Sequence, residues 1–145
     1  LLHDIGKIGI PDGIINNTSR LTDDEYEVIK THPAIGAEIL ENISELPELA
    51  FGARWHHERY DGRGYPDGLK GDDIPISAQL VSLADVYDAL VSERCYKKAF
   101  PKDEAARMII GGECGIFSPK ILESFSKVTK DFEALADNNK NKQAQ

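Results

Sequence analysis

An all-α fold is predicted by three observations. Alternating period-2 runs are almost absent, apolar residues recur at helical spacing, and Pro33, Pro47, Pro75, Pro101 and Pro119 stand where helices can start. The 145 residues are 41% apolar and 29% charged, with 12 Gly and 7 Pro, which fits one soluble globular domain and excludes disorder, collagen and a membrane bundle. A chain of this length buries roughly 70% of its unfolded surface, so its core needs no disulfide staple.

The elements follow in order. Thr22 and Glu25 have capping-box spacing and open a helix through about residue 31. A second helix runs from Pro33 to Ile43, where Ile35, Ile39, Leu40 and Ile43 give it one buried face, and a third from Pro47 to about His57. Between Arg59 and Ile74 lie four Gly and one Pro without periodicity, a connector long enough to carry function. Pro75 starts a long helix through Ser92; Pro101 and Pro119 offer first-turn prolines for two more, the last with Ser118 as its N-cap. Residues 1–135 are expected to form the domain and 136–145, ADNNKNKQAQ, a polar tail that frays and carries no function.

Seventeen Lys and Arg against 25 Asp and Glu give a net charge of −8, the wrong sign for coating a nucleic-acid polymer. A phosphate-bearing ligand must therefore be held locally. No run of apolar residues could span a membrane and no signal peptide is visible; Cys95 and Cys114 have neither metal-ligand nor redox spacing, so a reducing cytoplasm is the expected location. The only Met is Met108, so residue 1 is not a translational start, and the chain is expected to be a piece of something longer or to have been processed.

The chemistry concentrates at histidine. His3 precedes Asp4, His32 precedes Pro33, and His56 and His57 are adjacent, which accounts for all four. Imidazole and carboxylate are the usual ligands of first-row divalent metals, and a carboxylate can bridge two ions. His32 alone would read as a satisfied or surface side chain. The tandem pair is harder to place that way. The helix from Pro75 adds a second clue, because Asp85 and Asp88 are its only charges. Leu80, Leu83, Ala84, Tyr87 and Val91 should share a buried face, with Ser82, Asp85 and Ser92 as a polar stripe opposite, the pattern of a buried helix lining a polar site.

Three blocks carry a family resemblance. HDIGKI at His3 to Ile8, HHERYDGRGYPDGL at His56 to Leu69 and ADVYDALVSERCYK at Ala84 to Lys97 resemble the HD-GYP phosphodiesterases, in the family's order and with its Gly64-Tyr65-Pro66 triplet. The resemblance runs to about Phe132 and implies an HD-domain helical bundle, here truncated at its N-terminus. It implies a bacterial enzyme that binds two or three divalent metal ions, iron or manganese in preference, and hydrolyses the second messenger cyclic di-GMP to pGpG and on to GMP. It makes His3, Asp4, His32, His56, His57 and Asp85 the metal ligands, Asp4 bridging two ions, with a further His and a Glu in preceding helices.

The resemblance also assigns Lys7 to a substrate phosphate oxygen, which with Asp4 completes the catalytic pair, and Arg94 and Lys97 to phosphate or guanine. A basic helix end favoured by the helix dipole is the competing reading of Arg94 and Lys97. Arg63, Gly64, Tyr65 and Pro66 form a shaped loop that the family is proposed to use for docking GGDEF domains; Tyr65 serves substrate, partner or packing. Trp55 is expected in the core or a pocket wall. An upstream regulatory domain is expected. Two rival functions stay open: an HD-type hydrolase of another nucleotide, and a catalytically silent signalling or docking module, which would have no need of six ligands.

Overall fold

The computed structural model describes residues 2–43, 45–93 and 98–129, and every regular element among them is helical. Arg94, Cys95, Lys97 and the 136–145 tail lie outside the described residues. The chain divides into two compact units, one ending at Ala84 and the other starting at Asp85.

The first unit begins with a 3-10 helix, Leu2–Gly9, followed by α1 (Asp12–Ile15) and α2 (Asp23–Ile29). Thr22 caps α2 as its spacing predicts: the Glu25 amide donates to Thr22 Oγ1, and Glu25 Oε2 accepts from the Thr22 amide at 2.8 Å. That interaction holds the Glu25 carboxyl below its ordinary range. α3 (His32–Ile43) and α4 (Pro47–Trp55) pack together, and the 3-10 helix lies against both. Their core is Ala37, Leu40, Ala50 and Ala53, with Ile5 packed on it; of the face expected from periodicity Leu40 is buried, but Ile43, in the last turn of α3, is 69% exposed. Small residues allow the approach. A Cβ on Gly6 would stand 1.9 Å from the His32 carbonyl oxygen and 2.4 Å from the Gly36 amide nitrogen, so the two backbones cross where neither has a side chain.

α4 starts at Pro47, as expected, and stops at Trp55, two residues short of the predicted end. His56 and His57 therefore sit in the turn after the helix. The connector that follows holds only the short 3-10 turn Gly71–Asp73, and α5 runs from Ile76 to Val91.

The predicted face of α5 needs correction. Leu80 is 52% exposed and Ala84 is also exposed, while Ala78, Gln79, Ser82 and Leu83 are buried. The helix is rotated toward its small and polar side because Gln79 Nε2 donates to the Ile74 carbonyl and Ser82 Oγ accepts from Arg59, which gives each side chain a partner inside, although Gln79 Oε1 has none among the described residues. In the second unit Pro101 is the N-cap of α6 (Lys102–Ile110) rather than a first-turn residue. Ala105, Ala106 and Ile109 are buried, as are Phe117 and Ile121, and the rings of Tyr87 and Phe125 meet edge to face at 5.7 Å. A further helical run covers 119–129, with the Ser118 carbonyl accepting the Leu122 amide at 3.0 Å.

Candidate metal centre

The Gly6–Gly36 crossing brings the 3-10 helix to the start of α3, and with it Asp4 to His32. Asp4 Oδ1 lies 3.3 Å from His32 Nε2 and 3.9 Å from His56 Nε2, and Asp4 Oδ2 lies 3.4 Å from His3 Nε2. His32 and His56 face each other Nε2 to Nε2 at 3.4 Å, and the His57 ring centroid is 4.0 Å from that of His56. Two groups of ligand atoms result, His32 with His56 and His57, and His3 with Asp4 and His56. Five residues from three separate sequence blocks thus converge, five of the six that the family resemblance implies as ligands.

The protonation states suit a cation. His32 Nδ1 is 2.7 Å from the Ile29 carbonyl oxygen and His56 Nδ1 is 2.8 Å from that of Ala53. A carbonyl only accepts, so each Nδ1 carries a proton, and in both rings Nε2 is the nitrogen that faces Asp4. Burial depresses the His56 pKa to about 4, with the neighbouring His3 and His32 adding to the effect against the hydrogen bond to Ala53, so His56 is neutral at pH 7. Burial pushes the Asp4 carboxyl up, but hydrogen bonds from His3, His32 and Lys7 outweigh it and hold Asp4 well below the usual carboxylate range. The Asp4 carboxylate and the Nε2 atoms of His3, His32 and His56 thus gather at one point, a donor set that fits a divalent ion.

Lys7 follows Asp4 by one 3-10 turn, where side chains eclipse, and its Nζ is 2.7 Å from Asp4 Oδ2. The chain's own ammonium thus neutralises the carboxylate on its solvent side. Asp85 stands half-buried on α5 at the start of the second unit.

The connector folds back over the tandem histidines. The Tyr65 ring stacks on His57 at 4.7 Å and 25°, and Lys30 Nζ lies over Tyr65 at 5.9 Å and over Tyr26 at 5.5 Å. Asp67 takes Arg54 Nε at 2.8 Å, Arg54 Nη2 at 3.0 Å and Trp55 Nε1 at 2.7 Å, which lowers the Asp67 pKa and raises that of Arg54. Trp55 therefore anchors the loop by its indole N–H, while its ring packs beside Phe51. Arg63 points outward, its side chain 88% exposed and near Asp61. Sequence reasoning did not single out Arg54, Glu58, Asp67 or Lys30. A Gly-rich turn leaves backbone amides in need of acceptors, and the carboxylate at 58 was the signal available; Asp67 takes side-chain donors instead.

The HD domain family matches residues 1–114. Three curated relatives span most of this chain. A cyclic di-GMP phosphodiesterase of Vibrio cholerae serotype O1 is 45% identical, covering 93% of this chain and 29% of that protein. One from Thermotoga maritima is 48% identical, covering 90% and 36%. The 3'3'-cGAMP-specific phosphodiesterase 3 of Vibrio cholerae is 41% identical, covering 94% and 29%. The chain spans about a third of the length of the curated relatives it matches. Among solved structures, Bd1817, an HDG"Y"P protein from Bdellovibrio bacteriovorus, superposes with a TM-score of 0.64 at 25% identity, covering 90% of this chain and 41% of that one.

Proposed function

Because this chain belongs to the HD domain family, in its HD-GYP branch, we propose that it is a divalent-metal phosphodiesterase domain that opens cyclic di-GMP to pGpG and then to GMP. Asp4 carries this reading: an ionised carboxylate at which the Nε2 atoms of His3, His32 and His56 converge. His3, Asp4, His32, His56, His57 and Asp85 would hold about two ions, with a third where further ligands exist, and iron or manganese suits a set of imidazoles and carboxylates without thiolate. Bound ions would supply Lewis acidity to the phosphoryl oxygens and lower the pKa of the attacking water.

The chain's own residues prepare that site. The carbonyls of Ile29 and Ala53 hold two imidazoles in the ligating tautomer. Lys7, half-exposed on Asp4, is placed to exchange a carboxylate oxygen for a substrate phosphate oxygen, a point charge suited to that task. Tyr65, stacked on His57, walls the site and offers an aromatic face to a guanine; Arg94 and Lys97 are assigned to phosphate or base. The Arg63 to Pro66 loop is the surface for GGDEF domains, and an upstream domain would regulate the whole in the cytoplasm. Among the described residues no helix is long and apolar enough to cross a membrane.

A second reading is favoured by the cGAMP-specific relative: the preferred substrate is a different cyclic dinucleotide. Turnover of cyclic di-GMP, 3'3'-cGAMP and cyclic AMP by Mn2+-loaded protein, with products resolved by chromatography, decides between them. The first reading expects pGpG from cyclic di-GMP at the highest kcat/KM, and an inactive, metal-poor Asp4→Ala. Preference for 3'3'-cGAMP selects the second, and no hydrolysis of either by metal-loaded protein selects a silent module.

A further inference from the structure

The turn over the tandem histidines is closed by a carboxylate that the proposed reaction does not use. Glu58 follows His57 directly and is 3% exposed. Its Oε1 accepts two successive backbone amides, Asp67 at 2.7 Å and Gly68 at 3.0 Å. Its Oε2 is buried with no hydrogen-bond partner among the described residues. Burying a carboxylate oxygen without a donor opposes folding, so what keeps Glu58 inside is the pair of charge-assisted bonds on the other oxygen.

Those bonds hold a segment that touches the metal centre. Gly64 lies so close to Glu58 that a Cβ there would fall 2.4 Å from Glu58 Cα and 2.4 Å from the Arg59 nitrogen. The next residue donates its amide to the His57 carbonyl at 3.3 Å and stacks its ring on the His57 imidazole. Arg54 and Trp55 bind the Asp67 side chain, whereas Glu58 binds the backbone amides of Asp67 and Gly68.

We propose that Glu58 is a positioning residue for the metal centre: by gripping the amides of Asp67 and Gly68 it keeps Tyr65 stacked on His57 and so fixes the plane of a ligating imidazole. The proposal rests on the metal-binding reading above and assigns the Gly-Tyr-Pro turn a part in metal retention, apart from any partner or substrate. An imidazole held in one plane loses less freedom when it binds an ion, which is how groups beyond the ligands tune affinity.

The test is Mn2+ titration of the purified chain, followed calorimetrically, with thermal unfolding of each metal-free variant alongside. Glu58→Ala should weaken Mn2+ binding about 10- to 100-fold, the usual effect of losing an outer-shell partner. Glu58→Gln, whose amide oxygen can still accept both backbone amides, should recover most of that affinity. Tyr65→Leu should reproduce the loss, Tyr65→Phe should not, and the Glu58→Ala, Tyr65→Leu double variant should bind no more weakly than the weaker single one, because both act through one contact. A purely structural Glu58 would lower the melting temperature without this coupling. Wild-type Mn2+ affinity in a folded Glu58→Ala, or losses that add in the double variant, overturns the proposal. If Glu58→Ala does not fold, Tyr65→Leu decides alone: wild-type affinity there overturns it as well. A wild-type chain that binds no Mn2+ overturns the metal-centre reading itself, a distinct result.

Discussion

Gly6→Ala is a perturbation remote from any ligand atom that should nonetheless disable the centre. The added Cβ would lie 1.9 Å from the His32 carbonyl oxygen, 2.4 Å from the Gly36 nitrogen and 2.9 Å from Gly36 Cα, all backbone atoms that no rotamer change can move. Real contacts of this kind stay beyond 3.0 Å, so the 3-10 helix and α3 must part by at least about an ångström. Asp4 rides on one of them and His32 on the other, 3.3 Å apart. Overpacking of this kind costs about 1 to 3 kcal/mol, and the unyielding backbone contacts place it at the upper end, about 3 kcal/mol. A misplacement of about 1 Å at a catalytic site costs roughly 100-fold in turnover. The assay is urea unfolding of the metal-free variant together with Mn2+ affinity and cyclic di-GMP turnover. Gly13→Ala is the control, since nothing lies within 4 Å of its Cβ position. Wild-type stability and turnover in Gly6→Ala would refute the crossing as the device that joins Asp4 to His32.

Three further expectations follow from the same geometry. Chelation should lower the melting temperature, because free ion at about a hundred times Kd adds about 2.7 kcal/mol to the folded state; unchanged melting in excess chelator argues against a native metal centre. The chelated protein should then lose stability as pH falls from about 6.5 to about 4, where an unfolded His56 is protonated and the folded one is not. The unfolded chain binds more protons across that window, so its advantage grows by up to roughly 3 kcal/mol, and a flat urea midpoint over the window would show that His56 is not buried neutral. On α5, Leu83→Ala should cost about 2 to 5 kcal/mol and Leu80→Ala under about 0.5 kcal/mol, since Leu83 is 7% exposed and Leu80 52%; the reverse order would restore the face read from periodicity.

Much of this was legible before any coordinates. Helix starts were set by local chemistry, the Thr22 and Glu25 box and Pro47 at the head of α4, and local chemistry is what a sequence states outright. The convergence of His3, Asp4, His32, His56 and His57 could be read because the family resemblance implies them as ligands together, where the spacing of a His-Asp step and a His-His pair alone is a weak signal. The rotation of α5 could not. Leu80 and Ser82 exchange places against the apolar rule because the fold supplies Arg59 as a donor to Ser82, a partner 23 residues away along the chain. Lys7 was assigned to substrate, and without substrate it sits on Asp4, a pairing visible only once the first segment is known to wind as a 3-10 helix. Glu58 stayed hidden because a Gly-rich turn states that its amides need an acceptor but not which carboxylate the fold will bring to them.

The most direct test is anomalous diffraction from crystals of the chain grown with Mn2+. An anomalous peak should lie at ligand distance, about 2.0 to 2.3 Å, from an Asp4 carboxylate oxygen and the Nε2 atoms of His32 and His56. It should vanish in Asp4→Ala. Manganese bound elsewhere, or a peak between the histidines that Asp4→Ala leaves at full occupancy, would contradict a metal centre built around Asp4.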